Sequence, residues 1–375
     1  MFDCIVVGLG PAGAIALREI SQAGLNVIGL EKSALPHRKT CAGALSGLAQ
    51  RHAPAGVDQL FLDQIHMVEL SCPPHLNRRW EFDQPVACLI DRAQFHAFLL
   101  KGLPPEQIQS QTKVLGITVD DEGVLVHTSR GMLKTKTLIG ADGAHSQVAL
   151  KAGLIRPRCG LGLEVAVPQR DCQWRERIYV QYGQPPWGYG WIFSKGDHLS
   201  VGVVSLREEK TDLRPYLQNL LNRHQLSTSA KALGHPIPLG PSKKGPIARE
   251  GILLAGDAAG LADPLTGEGI AYALTSGRLA AQEVINALER DDYRFSDYQR
   301  EVWQRWGSQL HLSSKIAACF YRFPRVTNWF LQHYPEVIKG YFHSVGQAVD
   351  YGQLVGQIKG KIVPFIDGWA HMFDE

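Results

Sequence analysis

Short β-branched apolar runs alternate with longer amphipathic stretches through this chain, the pattern of buried parallel strands joined by helices. Residues 2–7 (Phe-Asp-Cys-Ile-Val-Val) read as a first strand whose apolar part is Cys4–Val7. Ala12–Ala23 then reads as a helix closed by Gly24, and Asn26–Leu30 as a second strand ending at Glu31. The strand pattern returns at Thr137–Ala141 and Gly251–Ala255, and Gly267–Ile270 opens a long helix running to about Leu288. Ile90-Asp91-Arg92-Ala93-Gln94-Phe95 begins another helix, while Pro186–Phe193 is an aromatic strand. Toward the C-terminus Trp303, Trp306, Leu310, Ala317 and Phe320 recur at helical spacing, as do Phe330, Tyr334, Val337, Tyr341 and Val345. These helices either pack on the core or form a lid or membrane-facing surface.

The turn between the first strand and helix is Gly8-Leu9-Gly10-Pro11-Ala12-Gly13. Gly8 permits a tight turn, Gly10 lets the backbone approach a phosphate, and Gly13 allows close helix–strand packing. The helix N-terminus through Pro11 and Ala12 offers N–H groups and a positive dipole end to a pyrophosphate. Glu31 follows Gly13 by 18 positions, where a carboxylate takes ribose hydroxyls, with Lys32 beside it. Dinucleotide binding follows; this motif alone does not separate FAD from NAD.

The second apolar strand system decides between them. Gly256-Asp257-Ala258-Ala259-Gly260, then Asp263-Pro264-Leu265-Thr266-Gly267-Glu268-Gly269-Ile270, follows the strand at Gly251–Ala255. Asp257 at a strand end suits the ribityl hydroxyls of FAD. Gly267, Gly269 and Ile270 start a helix whose first-turn N–H groups suit the flavin pyrimidine edge, where negative charge accumulates on reduction. Asp142, in Asp142-Gly143-Ala144-His145-Ser146, and Arg92 are two lesser cofactor candidates; Arg92 reads equally well as a surface arginine.

Composition narrows the field further. A length of 375 residues with 45% hydrophobic and 20% charged residues predicts a globular protein of two or three packed units. A formal charge of +3, with no basic block, excludes nucleic acid as an expected partner. The cysteines (Cys4, Cys41, Cys72, Cys88, Cys159, Cys172, Cys319) are odd in number and form no Cys-x-x-Cys pair, so neither a disulfide framework nor a metal site is expected. No signal peptide and no run of about 18 apolar residues occurs, which predicts a cytoplasmic protein and leaves peripheral membrane contact open.

In this order the four segments resemble the FAD-dependent oxidoreductase superfamily of para-hydroxybenzoate hydroxylase type. The resemblance implies an α/β fold: a Rossmann-like FAD domain interleaved with a mixed or antiparallel β-sheet substrate domain, plus a C-terminal helical segment. The FAD domain is expected at 1–64, 88–158 and 236–295, the substrate domain at 65–87 and 159–235, and the helical segment at 296–375, with Pro236–Pro246 a crossing between domains. No second Gly-x-Gly-x-x-Gly is present, so no separate NAD domain is expected and the reductant arrives from outside, as NADPH or as reduced ferredoxin from an electron-donor protein.

Two motifs are more specific. Pro186-Trp187-Gly188-Tyr189-Gly190-Trp191-Ile192-Phe193 resembles the Pro-x-x-Tyr-x-Trp-x-Phe-Pro signature of geranylgeranyl reductases, with Ser194 in place of the last Pro. Lys39-Thr40-Cys41-Ala42-Gly43 is similar to the Lys-x-Cys-Gly-Gly segment of that family, with Ala42 in place of the first Gly. The resemblance covers roughly residues 1–295 and implies saturation of prenyl C=C bonds on a lipid or isoprenoid. It places Cys41 and Ala42 beside the flavin and makes Cys41 the candidate proton donor. Tyr189 and Trp191 alternate on one face with Phe193, as apolar walls for a prenyl chain or as inter-sheet core. A flavin monooxygenase or halogenase of the same fold is the alternative, although the Trp-x-Trp-x-x-Ile-Pro arrangement of halogenases is missing. A prenyl-binding escort without flavin, of the Rab escort kind, is the non-enzymatic alternative, and the intact glycine and Asp257 motifs argue against it.

Overall fold

The structure is a computed structural model that describes residues 1–36, 39–72, 76–169, 172–207, 211–240 and 245–346. The chain forms two compact units, each assembled from three stretches. The first comprises Met1–Lys39, Ala93–Cys159 and Ile237–His311; the second comprises Thr40–Arg92, Gly160–Pro236 and Leu312–Glu375.

An eight-stranded sheet centres the first unit, with the order Ala248–Arg249, Ile252–Leu254, Gly131–Gly140, Phe2–Val7, Val27–Leu30, Ile108–Gln109, and a meander of Gly123–Thr128 and Val114–Asp120 beside Gly131–Gly140. The five strands from Ile252–Leu254 to Ile108–Gln109 are parallel. Cys4, Ile5, Val6, Leu138, Ile139, Leu253 and Leu254 are buried because helices cover this sheet, and such strands read as continuous apolar runs. The helix Pro11–Gln22 packs on Ile270–Arg290 at backbone contact: a Cβ on Gly277 would lie 2.2 Å from the Ala12 carbonyl oxygen.

The second unit holds a seven-stranded sheet in the order Leu233–Pro238, Cys159–Pro168, His198–Ser205, Gly188–Ser194, Arg177–Tyr182, Met67–Cys72, Leu76–Glu81. Pairing is antiparallel from Cys159–Pro168 onward, except that Met67–Cys72 runs parallel to Arg177–Tyr182. Period-2 alternation divides its residues between two apolar layers. Val165, Tyr179, Ile192, Val201 and Val203 pack on Leu217, Leu220 and Leu221 of the helix Arg214–Arg223. On the other layer Cys72, Tyr182 and Tyr189 meet Phe320, Phe330 and Leu331 from the C-terminal helices. A separate three-stranded sheet joins Ala44–Ser46, Ala87–Ile90 and Phe61–Ile65.

The interleaved α/β architecture is the expected one; its partition differs in detail. Residues 40–64 and 88–92 group with the second unit, because Ala44–Ser46 and Phe61–Ile65 both pair with Ala87–Ile90. The stretch from 296 onward is helical through Gly346 (Ser296–Val302, a π turn at Trp303–Gly307, Ser308–Arg322, Pro324–His333, Pro335–Gly346) but does not form a body of its own. Trp303, Trp306 and Leu310 complete the first unit's core, while Phe320 and Phe330 belong to the second. Residues 347–375 of that segment and 241–244 of the expected crossing lie outside the described residues. No helix among the described residues is long and apolar enough to cross a membrane.

One ring in the second unit makes the fold acid-sensitive. His224 lies edge-on to Trp174 (5.3 Å) and Tyr179 (4.5 Å), and burial pushes its pKa down to about 4. An imidazole in the unfolded chain titrates near 6.5, so below that pH the unfolded state takes up a proton that the folded state refuses. Stability contributed here is complete above pH ~6.5 and is lost as pH falls toward the folded value. His224→Phe is expected to reduce the drop in urea midpoint between pH 7 and pH 5, with little change at pH 7; an identical drop in both proteins contradicts this.

Candidate active site

The parallel strands of the first unit bring the cofactor motifs to one sheet end. In register, Val7 lies beside both Leu30 and Gly140, and Gly140 beside Leu254. Glu31, the Gly8–Gly13 turn, Ala141-Asp142 and Gly256-Asp257 therefore all emerge at the carboxyl ends of adjacent strands, where open α/β sheets bind ligands.

Each glycine of the turn has a different neighbourhood. Gly8 has φ +87°, and a Cβ there would sit 2.5 Å from the Ala141 carbonyl oxygen. A Cβ on Gly13 would sit 1.8 Å from the Gly8 carbonyl oxygen. At Gly10, the N-cap of Pro11–Gln22, a Cβ would meet no protein atom within 4 Å, and no side chain caps the helix. Two glycines are thus required by the protein's own packing, and the third borders open space at the positive end of a helix. That cradle fits a pyrophosphate.

Glu31 is buried and oriented: Leu9 N–H donates to Oε2 (3.1 Å) and Ser33 N–H to Oε1 (3.0 Å). Each oxygen keeps a second lone pair suited to a ribose hydroxyl. His96 supports the same turn by donating from Nε2 to the Leu9 carbonyl at 2.7 Å. Lys32, next to this carboxylate, is exposed. Asp257 sits in the 3-10 turn Gly256–Ala259, with Oδ2 held by Lys39 Nζ at 2.9 Å. Its Oδ1 is 3.2 Å from where a Gly269 Cβ would stand, so a side chain at Gly269 would press on the ribityl candidate. Gly269 caps Ile270–Arg290 without a side-chain hydrogen bond, and Gly267 has φ +72°. Asp263 shapes this loop, accepting at Oδ1 from Leu265 N–H, Thr266 N–H and Thr266 Oγ1. The residues present fit FAD: Gly8–Gly13 for pyrophosphate, Glu31 for ribose, Asp257 for ribityl and the Ile270 helix start for the ring edge.

Asp142, the lesser cofactor candidate at the next strand end, is held by the protein's own groups. Its carboxylate accepts from Ser146 Oγ (2.5 Å), Gln147 N–H (2.6 Å) and Val148 N–H (3.2 Å) at the start of the helix Gln147–Lys151, whose N-cap is Ser146. Burial raises its carboxyl above the usual carboxylate range, opposed by these hydrogen bonds. Arg92 is buried at the start of the helix Arg92–Leu100 rather than on the surface.

The second unit holds the Cys41 turn and the aromatic strand. Cys41 is half-buried; its Sγ accepts from Gly43 N–H at 3.4 Å, and its carbonyl accepts from Lys195 Nζ at 2.7 Å. Ala42, between them, is also half-buried. Tyr189 and Trp191 lie on Gly188–Ser194 with ring centroids 6.2 Å apart, and Tyr189 contributes to the layer of Tyr182, Phe320 and Phe330. Trp191 is anchored: Nε1 donates to Ser200 Oγ (2.9 Å), which donates to Glu164 Oε1 (2.8 Å). Its indole lies across Gly202, where a Cβ would be 2.1 Å from the ring. His96, Lys195, Ser200 and Glu164 escape a motif reading. Lys39 opens the recognised Lys-x-Cys segment, which gives no sign of its bond to Asp257, and Lys195 follows the aromatic strand, the one local signal it carries.

No protein-family model matches the chain. The chain is 28% identical over 395 residues to digeranylgeranylglycerophospholipid reductase 2 of Methanopyrus kandleri, covering 96% of this chain and 94% of that one. It is 26% identical to an uncharacterized protein of Methanosarcina barkeri, covering 99% and 97%. Among solved structures, a geranylgeranyl bacteriochlorophyll reductase-like protein of Thermoplasma acidophilum superposes with a TM-score of 0.77 at 21% identity, covering 99% of both chains. A flavin-dependent brominase superposes with a TM-score of 0.72 at 17% identity, covering 96% and 98%. In motifs, fold and relatives the chain is similar to the geranylgeranyl reductases, a family of FAD-dependent oxidoreductases.

Proposed function

We propose that this protein saturates C=C bonds of geranylgeranyl or other polyprenyl groups on a lipid or isoprenoid, with Cys41 as proton donor and NADPH or reduced ferredoxin as external reductant. The observation that carries the substrate class is the aromatic layer of the second sheet, Tyr182 and Tyr189 against Phe320 and Phe330. A prenyl chain has no polar group to recognise, so apolar walls with few polar anchors suit it. When bound and reduced, FAD supplies hydride to one carbon of the double bond. Cys41 holds at Sγ the proton for the other carbon, and the sulfur regains a proton from solvent after each turnover. Tyr189 and Trp191 orient the chain, and the Ser200 hydrogen bond keeps the Trp191 ring from following it. Gly8–Gly13, Glu31, Asp257, Gly267, Gly269 and Ile270 retain the cofactor, with Lys39 orienting Asp257. Peripheral contact with a membrane accords with a lipid substrate and with Trp329, which is 49% exposed and stacked on His333.

The test is anaerobic incubation of the reduced holoenzyme with geranylgeranyl lipids, read by mass spectrometry. A gain of two hydrogens per bond is expected. Oxygen uptake with a hydroxylated product, or halogenation, would instead assign the chemistry of the other flavoproteins that share this fold.

A further inference from the structure

We propose that Lys195 is the positioning residue for Cys41, a role that rests on the reading of Cys41 as proton donor. Lys195 is 5% exposed, and its Nζ donates to the Cys41 carbonyl at 2.7 Å. No carboxylate forms an ion pair with it among the described residues. An ammonium buried without a counter-charge is costly, and an apolar residue of similar volume would serve packing better. The backbone that carries it is locked: Lys195 N–H donates to His198 O at 2.7 Å, closing the hairpin between Gly188–Ser194 and His198–Ser205.

The Cys41 turn is built around the incoming ammonium. Gly43 has φ +77°, and a Cβ there would lie 2.4 Å from the Ile90 carbonyl oxygen and 3.0 Å from Lys195 Nζ. Glycine at 43 therefore makes room for the lysine head as well as for the turn. Three hydrogen bonds hold the segment: Lys195 on the Cys41 carbonyl, Gly43 N–H on Sγ, and Ile90 N–H on the Gly43 carbonyl. Without the first, nothing holds the Cys41 carbonyl, and the direction of the sulfur rests on the long Gly43 N–H contact alone. A misplacement of about 1 Å in a reacting group costs roughly a hundredfold in rate.

The test uses the FAD-loaded full chain with Lys195→Met, Lys195→Gln and Lys195→Arg. Glutamine is polar enough to be tolerated if methionine prevents folding, yet too short to reach the carbonyl; arginine keeps a buried cation with donors. Two readouts are compared: single-turnover reduction of a geranylgeranyl lipid after anaerobic flavin reduction, and the rate of iodoacetamide alkylation at Cys41, mapped by peptide mass. For Met or Gln, reduction is expected to fall at least about tenfold in kcat with KM little changed, with an altered Cys41 alkylation rate. Arg is expected to restore both substantially. Wild-type alkylation and turnover in Met or Gln overturns the proposal, as does a rise in KM alone, which would make Lys195 a substrate anchor. If the wild-type protein itself leaves the lipid unreduced, the functional reading fails, while the alkylation arm still judges the link between Lys195 and Cys41.

Discussion

Gly10→Ala is expected to give a folded protein that no longer retains FAD, whereas Gly13→Ala is expected to fold poorly. The two positions belong to one fingerprint but face different matter. A Cβ on Gly13 would be 1.8 Å from the Gly8 carbonyl oxygen, within the strand–helix turn itself, so the turn must open to admit it. At Gly10 the backbone is extended, with φ −63° and ψ −171°, a conformation alanine adopts without strain, and no protein atom stands within 4 Å of the added methyl. Exchanging glycine for alanine at an N-cap costs at most about 1 kcal/mol of helix stability. The methyl instead occupies space where a pyrophosphate approaches the helix N–H groups. Loss of one charge-assisted hydrogen bond costs about 1.5–3 kcal/mol, or roughly ten- to a hundredfold in affinity. Visible flavin absorbance after gel filtration, a titration with FAD, and the thermal midpoint of the apoprotein distinguish the cases. A Gly10→Ala protein that binds FAD like wild type would place the phosphates elsewhere; one that unfolds would give Gly10 the structural role assigned to Gly13.

The contrast shows which parts of this molecule were legible in the chain. Gly8–Gly13 and Glu31 were readable because a strand, a turn, a helix and a second strand follow one another in sequence, and the spacing itself defines the geometry. Asp257 was readable for the same reason, as a residue at the end of an apolar run. Lys195 was not, because it meets the Cys41 carbonyl across 154 positions of chain and no local pattern encodes that pairing. Lys39 and Asp257 meet across 218. Asp142 stands at a strand end like Asp257, and nothing in the sequence reveals the hydrogen bonds it accepts from Ser146, Gln147 and Val148. The extent of the second unit was hidden likewise: Ala44–Ser46 and Phe61–Ile65 fall within the FAD domain expected from sequence, yet both pair with Ala87–Ile90.

Cys41→Ser is expected to leave flavin reduction intact and to slow saturation of the prenyl double bond by roughly 10²–10⁴, the usual contribution of a positioned general acid. The substitution is mild for the fold. Sulfur and oxygen occupy the same branch, the side chain is only half-buried, and the Gly43 N–H that donates to Sγ can donate to a serine hydroxyl. What changes is acidity: a hydroxyl gives up its proton far less readily than a thiol. An unactivated alkene accepts hydride only as its other carbon is protonated, so the loss falls on the chemical step rather than on binding. The variant should therefore show lower kcat with nearly unchanged KM, the pattern of a contact made in the transition state. Stopped-flow reduction of the flavin by dithionite and single-turnover mass analysis of the lipid separate the half-reactions. Turnover equal to wild type would remove Cys41 from the mechanism and leave the proton to another group. Slowed flavin reduction would place Cys41 on the cofactor instead. A KM effect alone would make the Cys41 turn part of the wall that holds the prenyl chain.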